Sequence, residues 1–198
     1  MTDAAGMRAR NLRTVAALAA LFFLPLALAF YAYYASGWRP AGRVNHGTLI
    51  IPARPLPAVA LPRAPGTAAA PGTTLRGSWT LVYVGGGACD ADCRAALLVM
   101  RQTRLGLNND MTRVARVFLA TDHCCLDASA GAQAGLAVLD ASGAAATPLV
   151  AQFPAAGRAH SIYVVDPLGN LMMSYDARLD PHGLLEDLRK LLRLSQIG

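Results

Sequence analysis

Twenty consecutive residues without a charge, VAALAALFFLPLALAFYAYY from Val15 to Tyr34, constrain this chain more than any other stretch. A helix of roughly 20 apolar residues is long enough to cross a bilayer. Pro25 lies inside the run, and membrane helices tolerate such a kink. Tyr31, Tyr33, Tyr34 and Trp38 crowd its far end, where an aromatic belt belongs. Ala27-Leu28-Ala29 offers a small-residue cleavage site, so a removed signal peptide is the competing reading. The apolar run continues past that site and favours a retained anchor. Arg8, Arg10 and Arg13 precede the span in a short tail, which by the positive-inside rule stays in the cytoplasm. Arg39 and Arg43 follow the span and pull the other way. The short tail is expected to decide. That puts the rest of the chain on the far side, in the periplasm if the membrane is a bacterial inner membrane.

The chain is 54% hydrophobic and carries a formal charge of +6. The charge is not spread evenly. Residues 1–73 hold seven arginines and one acid, Asp3; residues 74–198 hold ten arginines and Lys190 against eleven acids. The C-terminal part is therefore neutral, which argues against a nucleic-acid groove. The excess belongs beside the membrane, where it suits anionic lipid and topology.

From Gly37 to Thr73 seven prolines interrupt the chain: Pro40, 52, 55, 57, 62, 65 and 71. Such a stretch is expected to be an extended spacer. Within it, Val44 to Ile51 is less linker-like and suits an edge strand. The domain proper is expected from Thr74. Trp79 to Val84 reads as a buried strand. Asp90 to Leu107 has helical spacing, with Ala95, Leu98, Val99, Gln102 and Leu105 on one face. Val114 to Ala120 reads as a second strand, and Leu136 to Leu139 as a short further element. Ile162 to Val165 and Leu171 to Ser174 flank Asp166-Pro167-Leu168-Gly169-Asn170, a turn signal, and read as a hairpin. Asp180 and Pro181 open a last helix over Gly183 to Leu194, with Leu184, Leu188, Leu191 and Leu192 on one face. A β-α-β unit followed by β-β-α is the thioredoxin-like plan. The expected class is α/β: a central mixed sheet flanked by helices, behind a single transmembrane helix. The expected divisions are a cytoplasmic tail 1–14, a transmembrane helix 15–36 meeting membrane lipid, a proline-rich linker 37–73 and a thioredoxin-like domain 74–198.

Cys89 and Cys93 fall between the first strand and its helix. Cysteines at i and i+4 on a helix share a face. The partial positive charge of a helix N-terminus favours thiolate, which attacks disulfides and binds soft metals such as Cu(I). Redox pairs of the thioredoxin type have two residues between the cysteines; this pair has three. A plain stapling disulfide also fits an oxidising compartment. A bridge over so short a loop, however, removes little chain entropy. His46 and His182 read as loop and surface residues. His123, Cys124 and Cys125 follow the second strand and are candidate accessory groups near the first pair.

Two stretches resemble the Sco/SenC family, membrane-anchored thioredoxin-fold proteins that help load copper into the CuA centre of cytochrome c oxidase. One is LRGSWTLVYVGGGACDADC, with Gly77, Trp79, Gly85 and C-x-x-x-C; the other is HSIYVVDPLGN from His160 to Asn170. The resemblance implies copper, as Cu(I) or Cu(II), held by Cys89, Cys93 and His160, and a membrane-bound oxidase subunit or another redox protein as partner. The chain departs from the family in places. Asp90 and Arg94 follow the cysteines where the family has proline, and Ala91 stands where it has an acid. The gap from His160 to Asp166-Pro167 is about two residues shorter, which keeps His160 on its strand face because faces alternate every two residues.

Three readings follow. The first is a membrane-anchored copper-handling assembly factor of the Sco type. The second is a membrane-anchored thiol–disulfide oxidoreductase, in which Cys89 attacks and Cys93 resolves. The third is a non-catalytic assembly scaffold.

Overall fold

The computed structural model describes residues 3–35, 45–64, 67, 75–123, 134–195 and 197. The chain divides into two compact units, residues 1–43 and 44–198. The first contains one helix, α1 (Asp3–Tyr34), and Pro25 lies inside it without ending it. Within its segment Arg10–Tyr34 an 18-residue window has a mean hydropathy of 2.3 and none of it is buried, so by length and composition the segment can cross a membrane. The expected span, 15–36, starts later than this segment, and residue 36 lies outside the described residues.

The second unit is built on a six-stranded sheet in the order β1-β6-β5-β2-β3-β4. Its strands are β1 (Thr48–Pro55), β2 (Trp79–Gly85), β3 (Val114–Ala120), β4 (Leu136–Asp140), β5 (Ser161–Val165) and β6 (Asn170–Asp176). β2, β3 and β4 run parallel; β5 is antiparallel to β2, β6 to β5 and β1 to β6. The sheet is mixed, as expected. The helices are α2 (Ala91–Gly106), the short α3 (Thr147–Val150) and α4 (Pro181–Leu194).

Alternation in β2 separates two cores. Trp79, Leu81 and Tyr83 face α2 and α4, joining Ala96, Leu97, Met100, Leu184, Leu188 and Leu192. Val82 and Val84 face the other way, joining Leu75, Val117, Leu149, Phe153 and Tyr163. The strand is buried on both sides, which is why it reads as a continuous apolar run. The hairpin expected between β5 and β6 is present. Asp166 holds its turn by accepting from the backbone N–H of Leu168 and Asn170, and Gly169 takes the left-handed φ of +85° that the turn needs.

The structure corrects two expectations. The compact unit begins at Val44 rather than Thr74. The edge strand expected over Val44 to Ile51 is present as β1, which runs on to Pro55 and pairs with β6, and Pro62 to Ala64, expected as spacer, run along the outer edge of β4 through Ala64 N–H to Val138 O and Asp140 N–H to Pro62 O. The buried face of α2 also differs. It carries Cys93, Ala96, Leu97, Met100 and Thr103, while Leu98 is 47% and Leu105 52% exposed. Leu97 and Met100 share this face with the smaller residues, so the buried stripe is turned round the helix from the expected one.

Candidate functional site

The site lies where β2 hands over to α2. Cys89 and Cys93 are joined by a disulfide, with Cα atoms 5.1 Å apart, and both are buried. Asp90 caps the helix: its carboxylate accepts the Cys93 N–H at 2.9 Å. That bond fixes the first turn on which Cys93 sits. Cys89 itself takes a left-handed φ of +46°, a conformation a cysteine adopts only when its surroundings hold it there. Those surroundings are visible. Cys89 N–H donates to Gly86 O, and the Arg94 guanidinium donates to Cys89 O at 2.8 Å. Replacing Asp90 with alanine will remove the cap and cost about 1 kcal/mol. Chemical denaturation of the oxidised chain measures it, and an unchanged midpoint contradicts the role.

A second loop steadies the first. Asp122, just past β3, accepts the Gly87 N–H at 2.9 Å. A Cβ on Gly86 would stand 2.8 Å from the Asp122 carboxylate, so only glycine permits this approach. The parallel register of β2 and β3, with Gly85 opposite Ala120, brings the two loops side by side.

His160 ends a single 3-10 turn, Arg158–His160, immediately before β5. Tyr83 ties that turn to β2 by donating from its hydroxyl to Ala159 O at 2.9 Å. Burial, then the charges of Asp90 and Asp92, push the Tyr83 phenol up to about 12, so it stays a donor throughout the physiological range. β2 therefore supports both halves of the site: its end carries the cysteine loop and its tyrosine holds the histidine turn. The His160 Nδ1 lies 3.3 Å from the Asp92 carboxylate, on the residue before Cys93. An open cavity of about 300 Å³ lies beside the disulfide, lined by Tyr83, Gly86, Cys89, Cys93, Arg158 and Ala159 among others.

Near His160, Arg178 grips Asp176 through two hydrogen bonds of 3.0 and 2.6 Å. That grip, with smaller help from Arg178's charge and from His160, holds the Asp176 carboxyl at about 2. A depressed carboxyl adds stability above its ordinary value, and the contribution is lost as pH falls toward 2. Arg178→Ala will return the Asp176 titration to the usual carboxylate range, read by NMR of the side-chain carboxyl. A titration still near 2 would overturn the assignment.

The candidate ligands are only partly brought together. Cys89 and Cys93 line the cavity and His160 is tied to Asp92 beside Cys93, but among the described residues no group of three metal-ligating side chains converges on a point. The two sulfurs are occupied with each other. His123 is drawn to β4 instead, its Nδ1 3.0 Å from the Asp140 carboxylate and its Nε2 2.8 Å from the Ser142 hydroxyl. Cys124 and Cys125 lie outside the described residues. Asp122, Tyr83 and Asp92 were not singled out from sequence. An acid just past a strand that neighbours the cysteine strand is the one signal that could have flagged Asp122.

Sheet order and a disulfide that joins the loop after β2, through Cys89, to the first turn of α2, through Cys93, define a thioredoxin-like domain with a redox-capable cysteine pair. A family model described as "Transmembrane-like, thioredoxin-like, C-terminal domain" matches residues 79–195, more than half of the chain, and the chain belongs to that family. No curated protein sequence matches the chain. Among solved structures, apo Sco1 of Thermus thermophilus is 18% identical, with a TM-score of 0.57 over 77% of this chain and 99% of that one. Copper-bound yeast Sco1 is 13% identical, with a TM-score of 0.53 over 60% and 80% of the two chains. Copper-bound ScoI of Arabidopsis thaliana is 17% identical, with a TM-score of 0.50 over 61% and 88%. At such identities the likeness is one of fold: the domain has the fold of the Sco proteins.

Proposed function

We propose that this protein is a membrane-anchored copper-handling factor of the Sco type. Copper is its cargo, and a membrane-bound oxidase subunit is its acceptor. The carrying observation is the disulfide between Cys89, in the loop before α2, and Cys93, on its first turn, with His160 held by Asp92, the residue before Cys93. Two thiolates and an imidazole are a soft donor set that suits copper in its lower state, and imidazole also accepts the higher. Arg10–Tyr34 would anchor the chain, with its N-terminus in the cytoplasm and the domain in the periplasm of a bacterial inner membrane.

The disulfide is the empty form. A partner dithiol, itself oxidised to a disulfide, supplies the two electrons and two protons that convert it into two thiols, and each thiol loses its proton as it takes the metal. Asp92 holds the imidazole through Nδ1, which leaves Nε2 as the metal-facing nitrogen. Transfer to the acceptor is then ligand exchange, one sulfur at a time. The test is copper stoichiometry on the full chain in detergent, loaded without oxygen and desalted. The reduced chain should retain one copper and the oxidised chain none. No retained copper on the reduced chain would sink the reading.

The disulfide also supports a second reading, a thiol–disulfide oxidoreductase, because the two cysteines stand close enough to bridge, with Cα atoms 5.1 Å apart. In that case Cys89→Ser and Cys93→Ser abolish reduction of a model disulfide while His160→Ala leaves it intact. On the copper reading His160→Ala weakens retention.

A further inference from the structure

The cavity beside the disulfide has a chemical bias of its own. Both cysteines form part of its wall, yet Cys89 is only 7% and Cys93 2% exposed. An incoming thiolate needs such an opening to reach either sulfur. Tyr83, Val84, Ala88 and Ala159 supply apolar walls. Among the described residues that line the cavity, Arg158 is the one cation and Asp90 the one acid. Asp90 already accepts the Cys93 N–H and caps α2. Arg158 has no carboxylate partner among the described residues.

The place of Arg158 is fixed by the fold. It opens the 3-10 turn that ends at His160, and Gly157 before it takes a left-handed φ of +70°. Its Nε donates to Pro154 O, and its Nη2 donates to Val150 O and Phe153 O. The Tyr163 hydroxyl donates to the same Pro154 O, and the Tyr163 ring packs edge-on against Phe153, which steadies that segment. Three carbonyls thus orient the guanidinium without cancelling its charge. A part-buried guanidinium held in one place favours an anion, above all a carboxylate.

We propose, resting on the reading that the disulfide is the form a partner must reduce, that this cavity admits the reductant and that Arg158 selects a dithiol with a carboxylate beside its attacking cysteine. The partner's thiolate bonds to Sγ of Cys89, the more exposed of the two, and the bond between Cys89 and Cys93 breaks. Cys93 leaves as a thiolate and takes up a proton. The partner's second thiol loses its proton, attacks the partner's sulfur in the mixed disulfide and frees Cys89 as a thiolate, which is protonated in turn. The partner ends as a disulfide and the pair as two thiols. The neighbouring carboxylate meets Arg158 as the sulfurs meet, so it speeds the attack.

Two capped dithiol peptides, identical but for glutamate or glutamine directly after the first cysteine, are reacted with the oxidised full chain in a neutral detergent. Timed alkylation and mass spectrometry of the tryptic peptide Gly77–Arg94, which holds both cysteines, follow the reduction. Per attacking thiolate, the glutamate peptide should react about tenfold faster, a preference that shrinks as sodium chloride rises. In Arg158→Gln the preference should vanish, and in Arg158→Lys part of it should return. A variant that only loosened the turn would move both peptides alike and leave their ratio in place. Equal rates in the wild type, or a ratio unchanged in Arg158→Gln, overturn the proposal. Copper retention is scored separately, on chain reduced with a small neutral dithiol. Retained copper with no peptide preference overturns the role of Arg158 alone; a preference without retained copper supports that role and sinks the copper reading.

Discussion

Cys89→Ser/Cys93→Ser will leave the reduced chain with no tightly held copper, and His160→Ala will retain it more weakly. The two losses differ in kind. Removing both sulfurs removes the soft donors, and no other cysteine among the described residues can replace them. Removing His160 leaves two sulfurs and takes away the nitrogen. Asp92→Asn is the informative intermediate. Its side chain stays beside the imidazole but no longer presents a carboxylate to Nδ1. Residues that orient a ligand typically cost about 10–100-fold in affinity when changed. The expected order is wild type, then Asp92→Asn weaker by that factor, then His160→Ala weaker still, then none in the serine pair. Competition with a Cu(I) chelator gives all four. Equal affinity in wild type and His160→Ala would remove the histidine from the site and favour the oxidoreductase.

The largest stability effect is expected far from the cysteines. Asp187 on α4 is 3% exposed, and one carboxylate oxygen accepts the backbone N–H of His46 at 2.7 Å and of Gly47 at 3.0 Å. Glu186 on the same helix also reaches the entry to β1, its carboxylate 3.0 Å from the His46 Nε2, but exposed. Asp187→Ala strands the buried Gly47 donor and removes two bonds to a charged acceptor. Such bonds are worth about 1.5–3 kcal/mol each. Some of that is returned because a buried carboxylate no longer has to be desolvated, so the net loss should be about 2–4 kcal/mol. Asp187→Asn keeps an acceptor oxygen and should lose less. Urea denaturation of the oxidised chain measures both, and a loss below about 0.5 kcal/mol for the alanine variant would contradict the tether.

Much of this architecture is legible in the chain. β2 and β3 announce themselves because burial on both faces demands continuous apolar runs. The β5–β6 hairpin is marked by Asp166 and Gly169, whose roles are local. α4 keeps Leu184, Leu188 and Leu192 on one face because it packs as an ordinary amphipathic helix. β1 was only half legible. It lies at a sheet edge and is exposed along nearly its whole length, so burial imposes no alternation on it. Its prolines speak for a linker while its pairing comes from β6. The face of α2 misled because apolar residues lie on more than one side of it: Leu98 and Leu105 are exposed, while Leu97 and Met100 are buried with Ala96 and Thr103. At the site, the cysteine pair could be read from spacing. Asp122 and Tyr83 could not, because their roles depend on the register of neighbouring strands rather than on any nearby residue.

The way the sheet ends has a consequence for crowding. One border, β4, is occupied by Pro62 to Ala64. The other, β1, carries Pro52 and Pro55, and each proline deletes an amide that a neighbouring molecule could pair with. A protein tethered to a bilayer meets its own copies in two dimensions, at far higher effective density than in free solution. Unguarded strand borders there invite stacking between molecules. On the membrane-anchored reading proposed above, blunted borders would let many copies share a patch of membrane and still present their cysteines singly.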